Sequence, residues 1–148
     1  MSTHDKQIFR RVIEEVIEGG DFAAFDELID ERIVSYDPSE PEPTRGREAY
    51  RAAIERYRSA FSGLHVRIDD QVAESDKVVS RWTASGRHDG ELFGMPATGK
   101  EVEFTGIDID RIEHGRIVEE WTNWDTLGLM YQLGVIPEVS PEAGGPVA

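Results

Sequence analysis

Residues 107–134 read IDIDRIEHGRIVEEWTNWDTLGLMYQLG, and this stretch decides the fold. Two runs of alternating apolar and polar residues, about Glu101–Ile112 and Arg116–Trp124, predict strands. The Glu-His-Gly between them is typical of a tight hairpin turn. Apolar residues spaced through Thr126–Leu133 then predict a short final helix. We therefore expect an antiparallel hairpin followed by one helix.

Upstream of the hairpin, the apolar pattern changes from helical to strand-like. Leu64–Asp69 and Lys77–His88 alternate as strands do. Helical spacing comes earlier in the chain, and a short strand separates the second helix from the third. These earlier elements are predicted at residues 5–18, 22–29, 33–36 and 47–61. Because helices precede consecutive strands with short connections, the expected class is α+β with an antiparallel sheet.

Length and composition fit one domain, residues 1–136, with a flexible tail at 137–148. The absence of cysteine excludes disulfides, thiol nucleophiles and cysteine zinc sites. No apolar stretch approaches the roughly 20 residues that cross a membrane. The N-terminus becomes charged too early for a signal peptide. We therefore expect a cytoplasmic protein that is not in a membrane.

The net charge of −14, from 30 acidic and 16 basic residues, limits the class of partner. Such a surface repels nucleic acid and anionic lipid, so neither is expected to bind. Only three of the basic residues are lysines. Many carboxylates with few lysines indicate either a halophilic source, where salt screens self-repulsion, or an ordinary acidic protein. The sequence leaves both open.

The hairpin also predicts a pocket face. Pairing outward from the turn without interruption sets Gly106 opposite Asn123 and places Trp121, Asn123 and Asp125 on one face. An aromatic wall with an amide and a carboxylate is the usual composition of a small-molecule pocket. A slip of one residue would exchange the two faces.

Three features resemble the SnoaL-like polyketide cyclase family, within the ketosteroid isomerase-like superfamily. They are the Gly-x-His-x-Gly of Gly86–Gly90 within VVSRWTASGRHDGELFGMPATGK, Trp121 with Asp125, and the closing Gln132–Gly134. The resemblance covers about residues 5–135. It implies a conical, strongly curved sheet wrapped around the N-terminal helices, a pocket inside it, and a homo-oligomer of two or more subunits.

The resemblance further implies ring closure by an intramolecular aldol condensation that needs no metal and no other cofactor. It implies a pocket aspartate as acid/base with an assisting histidine. Asp125 matches that aspartate, although a helix N-cap explains it as well. His88 is the second catalytic candidate, since it could bind an enolate oxygen or relay a proton. Its alternative is structural, as an anchor for the loop before Lys100.

The remaining candidates are substrate-binding residues: Trp121, Trp82, Asn123, Asp108, His65 and Tyr36. For the aromatic residues the alternative is plain core packing. Asp108, Asp110 and Glu119 could suggest oxygen ligands for a metal, but an acidic strand face explains them equally well, and we expect no metal.

We expect a cofactor-independent enzyme that acts on a small, apolar carbonyl compound by aldol-type cyclisation or a related isomerisation. The alternative is a non-catalytic module on the same fold, for small-ligand binding or oligomerisation, since a fold does not fix a function.

Overall fold

A computed structural model describes residues 2–137, so all but the first residue of the expected tail lies outside the described residues. The N-terminal helix α1 continues directly into a π-helical segment. The helices are α1 (Ser2–Arg11), the π-helical segment (Val12–Glu18), α2 (Phe22–Leu28), α3 (Arg47–Ala60) and α4 (Thr126–Leu133). The strands are β1 (Ile29–Tyr36), β2 (Thr44–Arg45), β3 (Phe61–Glu74), β4 (Lys77–His88), β5 (Glu101–Glu113) and β6 (Arg116–Trp124).

The six strands form one curved sheet in the order β2-β1-β6-β5-β4-β3. The α+β class is confirmed, and the pairs from β3 to β6 are antiparallel as expected. One detail of the prediction is wrong: β1 runs parallel to β6. A parallel pair needs a long crossover, which α3 and the four intervening strands supply. Irregular register at several points bends the strands around the helices.

The N-terminal helical segment forms one half of the core. Its apolar residues recur at helical spacing and are buried against α2, α3 and the sheet. The segment ends at Gly19 and Gly20, and Gly20 has a φ of +69° that favours glycine. Asp21 then caps α2 by accepting hydrogen bonds from Ala23 N (3.1 Å) and Ala24 N (3.0 Å). No helix within residues 2–137 is long and apolar enough to cross a membrane.

The β5–β6 hairpin forms where the sequence predicts it, with His114 (φ 52°) and Gly115 (φ 75°) in the turn. Its predicted register is wrong beyond the first pairs. Ile112 pairs with Ile117, but Arg111 pairs with Glu119, so Val118 is an extra residue in β6. This β-bulge shifts all later pairs by one.

The shift exchanges the faces of the far half of β6. Asp108 lies opposite Thr122, and Gly106 lies opposite Trp124. Thr122 and Trp124 consequently face the helices, whereas Trp121 and Asn123 belong to the outer face.

On β5 the inner face alternates cleanly. Every second residue from Val102 to Ile112 is buried, and the residues between them are exposed or half-buried. Gly106 lies on this face between Trp82 of β4 and Trp124 of β6. A Cβ atom at Gly106 would overlap the indole ring of Trp82. Gly106 is therefore the residue that lets Trp82 lie across β5.

We expect Gly106→Ala to destabilise the fold by about 1–3 kcal/mol, because the added methyl group overpacks the sheet against Trp82. Thermal denaturation would show a lower midpoint, and tryptophan fluorescence a changed environment. Gly115→Asn is the control, since Gly115 faces open space and asparagine tolerates positive φ. An unchanged midpoint for Gly106→Ala would contradict the close packing.

Candidate active site

A cavity of about 170 Å³ lies between the helices and the inner face of the sheet. Most of its wall is apolar, including aromatic side chains from α1, β3, β5 and β6. The polar groups come mainly from strands β1, β5 and β6. They include Ser35, Asp108, Glu120 and Thr122. A mostly apolar cavity with a few convergent polar groups is the usual form of a small-molecule site.

Asp108 is a buried carboxyl in the cavity wall. Its Oδ1 atom accepts a hydrogen bond from Trp82 Nε1 (3.1 Å) and another from Thr122 Oγ1. Its Oδ2 atom has no hydrogen-bond donor within residues 2–137. Burial first, and then the charge of Glu120, raise the pKa of Asp108 to about 8, against the opposing effect of the two hydrogen bonds.

Two more carboxyls adjoin Asp108. Glu120 accepts hydrogen bonds from Ser35 Oγ (2.7 Å) and from Tyr50 Oη (2.6 Å). Asp110 is fully buried, and neither of its oxygens has a donor among the described residues. Burial raises the pKa of Glu120 and raises that of Asp110 well above its ordinary value. We call Asp108, Asp110 and Glu120 the acid cluster.

Aromatic residues line the other end of the cavity. Trp124 Nε1 donates to Asp37 Oδ2 (3.1 Å), and the ring of Tyr57 meets that of Trp124 edge-on at 6.1 Å. The Tyr57 hydroxyl is buried and forms no hydrogen bond of normal geometry among the described residues, although the Ser39 side chain lies close enough to oppose the rise in its pKa. Burial raises the pKa of Tyr57, so its hydroxyl remains a neutral donor. Phe93, from the loop between β4 and β5, stacks on Trp124 at 6.3 Å.

Asp125 lies outside the cavity wall. It is exposed and precedes α4, where its Oδ1 atom accepts a hydrogen bond from Gly128 N (2.8 Å). The helix-cap alternative for Asp125 is therefore observed. The catalytic role of Asp125 stays a prediction, and the fold does not place Asp125 in the cavity wall.

His88 is fully buried beneath the loop that joins β4 to β5. Its Nδ1 atom accepts a hydrogen bond from Thr98 N (3.2 Å), and its backbone N–H donates to the Lys100 carbonyl (2.8 Å). The structural alternative for His88 is thus observed. Neither His88 nor Asp125 lines the cavity. The catalytic role of His88 therefore also stays a prediction.

The predicted substrate-binding residues divide between the two faces of the sheet. Trp82 and Asp108 line the cavity and are hydrogen-bonded to each other. Trp121 and Asn123 lie on the outer face instead, because of the bulge at Val118.

Tyr36 stacks on Trp121 with ring centroids 5.8 Å apart, beside the proline-rich segment 37–43. His65 is exposed and pairs with Glu18 Oε1 at 3.0 Å. Neither Tyr36 nor His65 is part of the cavity wall.

Sequence reasoning missed Glu120 and Ser35, and it missed the contact of Glu120 with Tyr50, a residue for which it weighed a donor role against core packing. The contacts join residues 85 and 70 positions apart, which no local pattern reports. One signal was present for the acids of β5: Asp108 and Asp110 occupy the same alternating positions as Phe104 and Ile112. Charged residues in apolar positions of a strand indicate buried acids.

The three carboxyls of the acid cluster lie close together, with one oxygen of each within 4.8 Å of the others. Glu119, which the sequence suggested as a metal ligand, instead pairs with Arg111 at 2.9 Å. A shared proton fits the same geometry, because a neutral carboxyl can donate to a neighbouring carboxylate.

Comparison with known proteins gives a consistent result. The SnoaL-like polyketide cyclase family model matches residues 7–133. Aklanonic acid methyl ester cyclase DnrD of Streptomyces peucetius is 36% identical over 104 residues, covering 69% of this chain and 70% of that protein.

Two solved structures extend the comparison. TsrD from Streptomyces laurentii is 35% identical with a TM-score of 0.80, covering 90% of this chain and 97% of that one. A SnoaL-like polyketide cyclase from Jannaschia sp. CCS1 has a TM-score of 0.84, covering 92% of this chain and 95% of that one. Its identity of 22% makes this a likeness of fold alone.

We expect the free energy of unfolding to fall as the pH rises from about 4 to about 8. Folded Asp108, with its pKa of about 8, keeps its proton over this range, whereas an unfolded aspartate, with a pKa of about 3.9, has lost it. The slope from one such proton is at most about 1.4 kcal/mol per pH unit. Urea denaturation at several pH values measures the free energy of unfolding and therefore this slope.

Asp108→Asn removes this titration and should flatten the pH dependence. Asp125→Asn is the matched control, because it makes the same chemical change at an exposed helix cap where asparagine is also favoured. Equal slopes for the wild type and Asp108→Asn would contradict the assignment.

Proposed function

The chain belongs to the SnoaL-like polyketide cyclase family, and we propose that it closes a ring in a small, apolar carbonyl compound with Asp108 as the acid/base. The observation that carries this proposal is the Asp108 Oδ2 atom, which has no hydrogen-bond donor among residues 2–137 and lies in a mostly apolar cavity. Because burial raises the pKa of Asp108 to about 8, the group can accept and return a proton near neutral pH.

The proposed reaction is an intramolecular aldol addition. The Asp108 carboxylate removes a proton from the carbon next to one carbonyl, leaving an enolate. The enolate carbon bonds to a second carbonyl carbon of the same molecule, and the resulting alkoxide takes the proton back from Asp108. Atoms balance without a cofactor, and loss of water from the adduct would complete a condensation.

We assign the Tyr57 hydroxyl as the donor to the enolate oxygen. It is buried and neutral, and within residues 2–137 it forms no hydrogen bond of normal geometry, with only the Ser39 side chain nearby. A donor held in place before the charge develops stabilises an enolate more than water does. Trp82 has a different role: its Nε1–H holds Asp108 Oδ1 and so directs Oδ2 to the substrate.

The charges of the cavity wall support a substrate that is not an anion. Asp37, Glu40, Asp108 and Glu120 contribute to the wall, whereas Arg58 is its one cationic residue among the described part of the chain. Arg58 Nε is already used to donate to the Ile17 carbonyl (2.9 Å). A neutral ester, such as the one in the name of DnrD, fits this environment better than a free carboxylate.

Two expectations about the whole protein remain proposals. We propose a homo-oligomer, supported by the aromatic pair Tyr36 and Trp121 on the outer face of the sheet. We also propose a cytoplasmic location.

We expect Asp108→Asn to lower the turnover number by about 10²–10⁴-fold, the usual contribution of a positioned acid/base. The probe is aklanonic acid methyl ester, and ring closure is followed by chromatography with mass detection. The product of an aldol addition has the mass of the substrate, and that of a condensation has one water less. Asp125→Asn is the matched control and should keep its activity.

Loss of turnover in Asp125→Asn but not in Asp108→Asn would move the acid/base role to Asp125 and overturn the proposal. Tryptophan fluorescence gives a second readout, because Trp82 and Trp124 both line the cavity. If the wild type binds the ester without converting it or related methyl esters, the non-catalytic ligand-binding alternative is favoured instead.

A further inference from the structure

The acid cluster contains more carboxyls than the proposed reaction uses. Asp108, Asp110 and Glu120 are 8%, 0% and 7% exposed, and one oxygen of each lies within 4.8 Å of the others. None of the three forms a salt bridge within residues 2–137. Three buried carboxylates this close cannot all ionise near neutral pH, so at least one of them holds a proton.

Hydrogen bonds distinguish the three groups. Glu120 accepts from two hydroxyls, those of Ser35 and Tyr50, which stabilise its ionised form. Asp110 has no donor on either oxygen among the described residues, so ionisation would leave it buried and unsatisfied. A protonated Asp110 instead has an O–H to donate, and Glu120 is an acceptor beside it.

We propose that Asp110 and Glu120 share one proton, with Asp110 the neutral donor and Glu120 the charged acceptor, and that this charge makes Asp108 a stronger base. Glu120 is then a positioning residue that acts through Asp108. This inference rests on the proposed function for its effect on rate, but the shared proton itself does not.

The pKa directions agree with this arrangement. Burial is the largest cause for all three carboxyls, and the charge of Glu120 is the next cause for both Asp108 and Asp110. The contact between Asp110 and Glu120 raises the pKa of Asp110 and opposes the rise in the pKa of Glu120, as expected when Asp110 is the donor.

Charged and titratable groups on the surrounding elements do not neutralise Glu120. Tyr50, from α3, faces it as a neutral hydroxyl whose pKa burial raises well above its ordinary value. Asp37, from the segment after β1, adds a negative charge that raises the pKa of both Asp108 and Glu120. Tyr57, Glu40 and Arg58 complete the titratable groups of the wall, and Arg58 is held at Ile17.

The test is a carboxyl titration that NMR monitors, with the side-chain carboxyls of aspartate and glutamate labelled with ¹³C. Spectra are recorded from about pH 4 to 10 on the wild type, Glu120→Gln and Asp110→Asn. We expect Glu120→Gln to lower the titration midpoint of Asp108 by about one pH unit or more, because it removes a like charge. Asp110→Asn should leave that midpoint nearly unchanged, because a neutral donor replaces a neutral donor.

Two results would overturn the proposal. The first is a shift of the Asp108 midpoint in Asp110→Asn as large as that in Glu120→Gln, which would place the charge on Asp110. The second is no shift in either variant. Tyr50→Phe is the second variant if Glu120→Gln does not fold: it removes one donor to Glu120 and should raise the Glu120 midpoint, and an unchanged midpoint would contradict a charged Glu120.

Kinetics separate this inference from the proposed function. In Glu120→Gln, the acid limb of the pH profile of kcat should move to lower pH while KM stays nearly constant. If Asp108→Asn abolishes turnover but Glu120→Gln moves neither the limb nor the NMR midpoint, the cyclase proposal stands and the shared-proton pair fails. If no ester is converted, the NMR titration still decides the pair.

Discussion

The β-bulge at Val118 sets the face of the sheet on which every later residue of β6 lies. Strand side chains alternate, so one extra residue exchanges inside and outside. With the bulge, Glu120 joins Asp108 and Asp110 inside, and Thr122 can donate to Asp108. Without it, Trp121 would take the inner position, and the cavity would lose its polar end.

Burying the acid cluster is unfavourable for folding. Nothing within residues 2–137 offers these carboxyls a cation, so they rely on hydroxyl and indole donors and on a retained proton. The cost is offset by the two apolar clusters packed between the helices and the sheet. A carboxyl kept in so unfavourable a place has a raised pKa, and that is the property an acid/base at neutral pH needs.

The two faces of the sheet therefore differ in composition. The inner face holds titratable groups in a mostly apolar cavity, while the outer face carries the stacked pair of Tyr36 and Trp121 beside a proline-rich segment. Asp125 and His88 belong to neither surface. Asp125 caps α4, and His88 accepts a hydrogen bond from Thr98 in the loop between β4 and β5.

The sequence alone determined the class and most of the elements, although it predicted neither the short strand β2 nor the π-helical segment. Periodicity placed these strands and helices, and the Glu-His-Gly segment predicted the hairpin, because these signals are local. The tertiary structure decided which side chains meet. Ser35 and Tyr50 reach Glu120 across most of the chain, and the bulge at Val118 has no local signature. Burial then raised the pKa of Asp108 above that of an ordinary aspartate, since a pKa depends on neighbours that only the folded chain assembles.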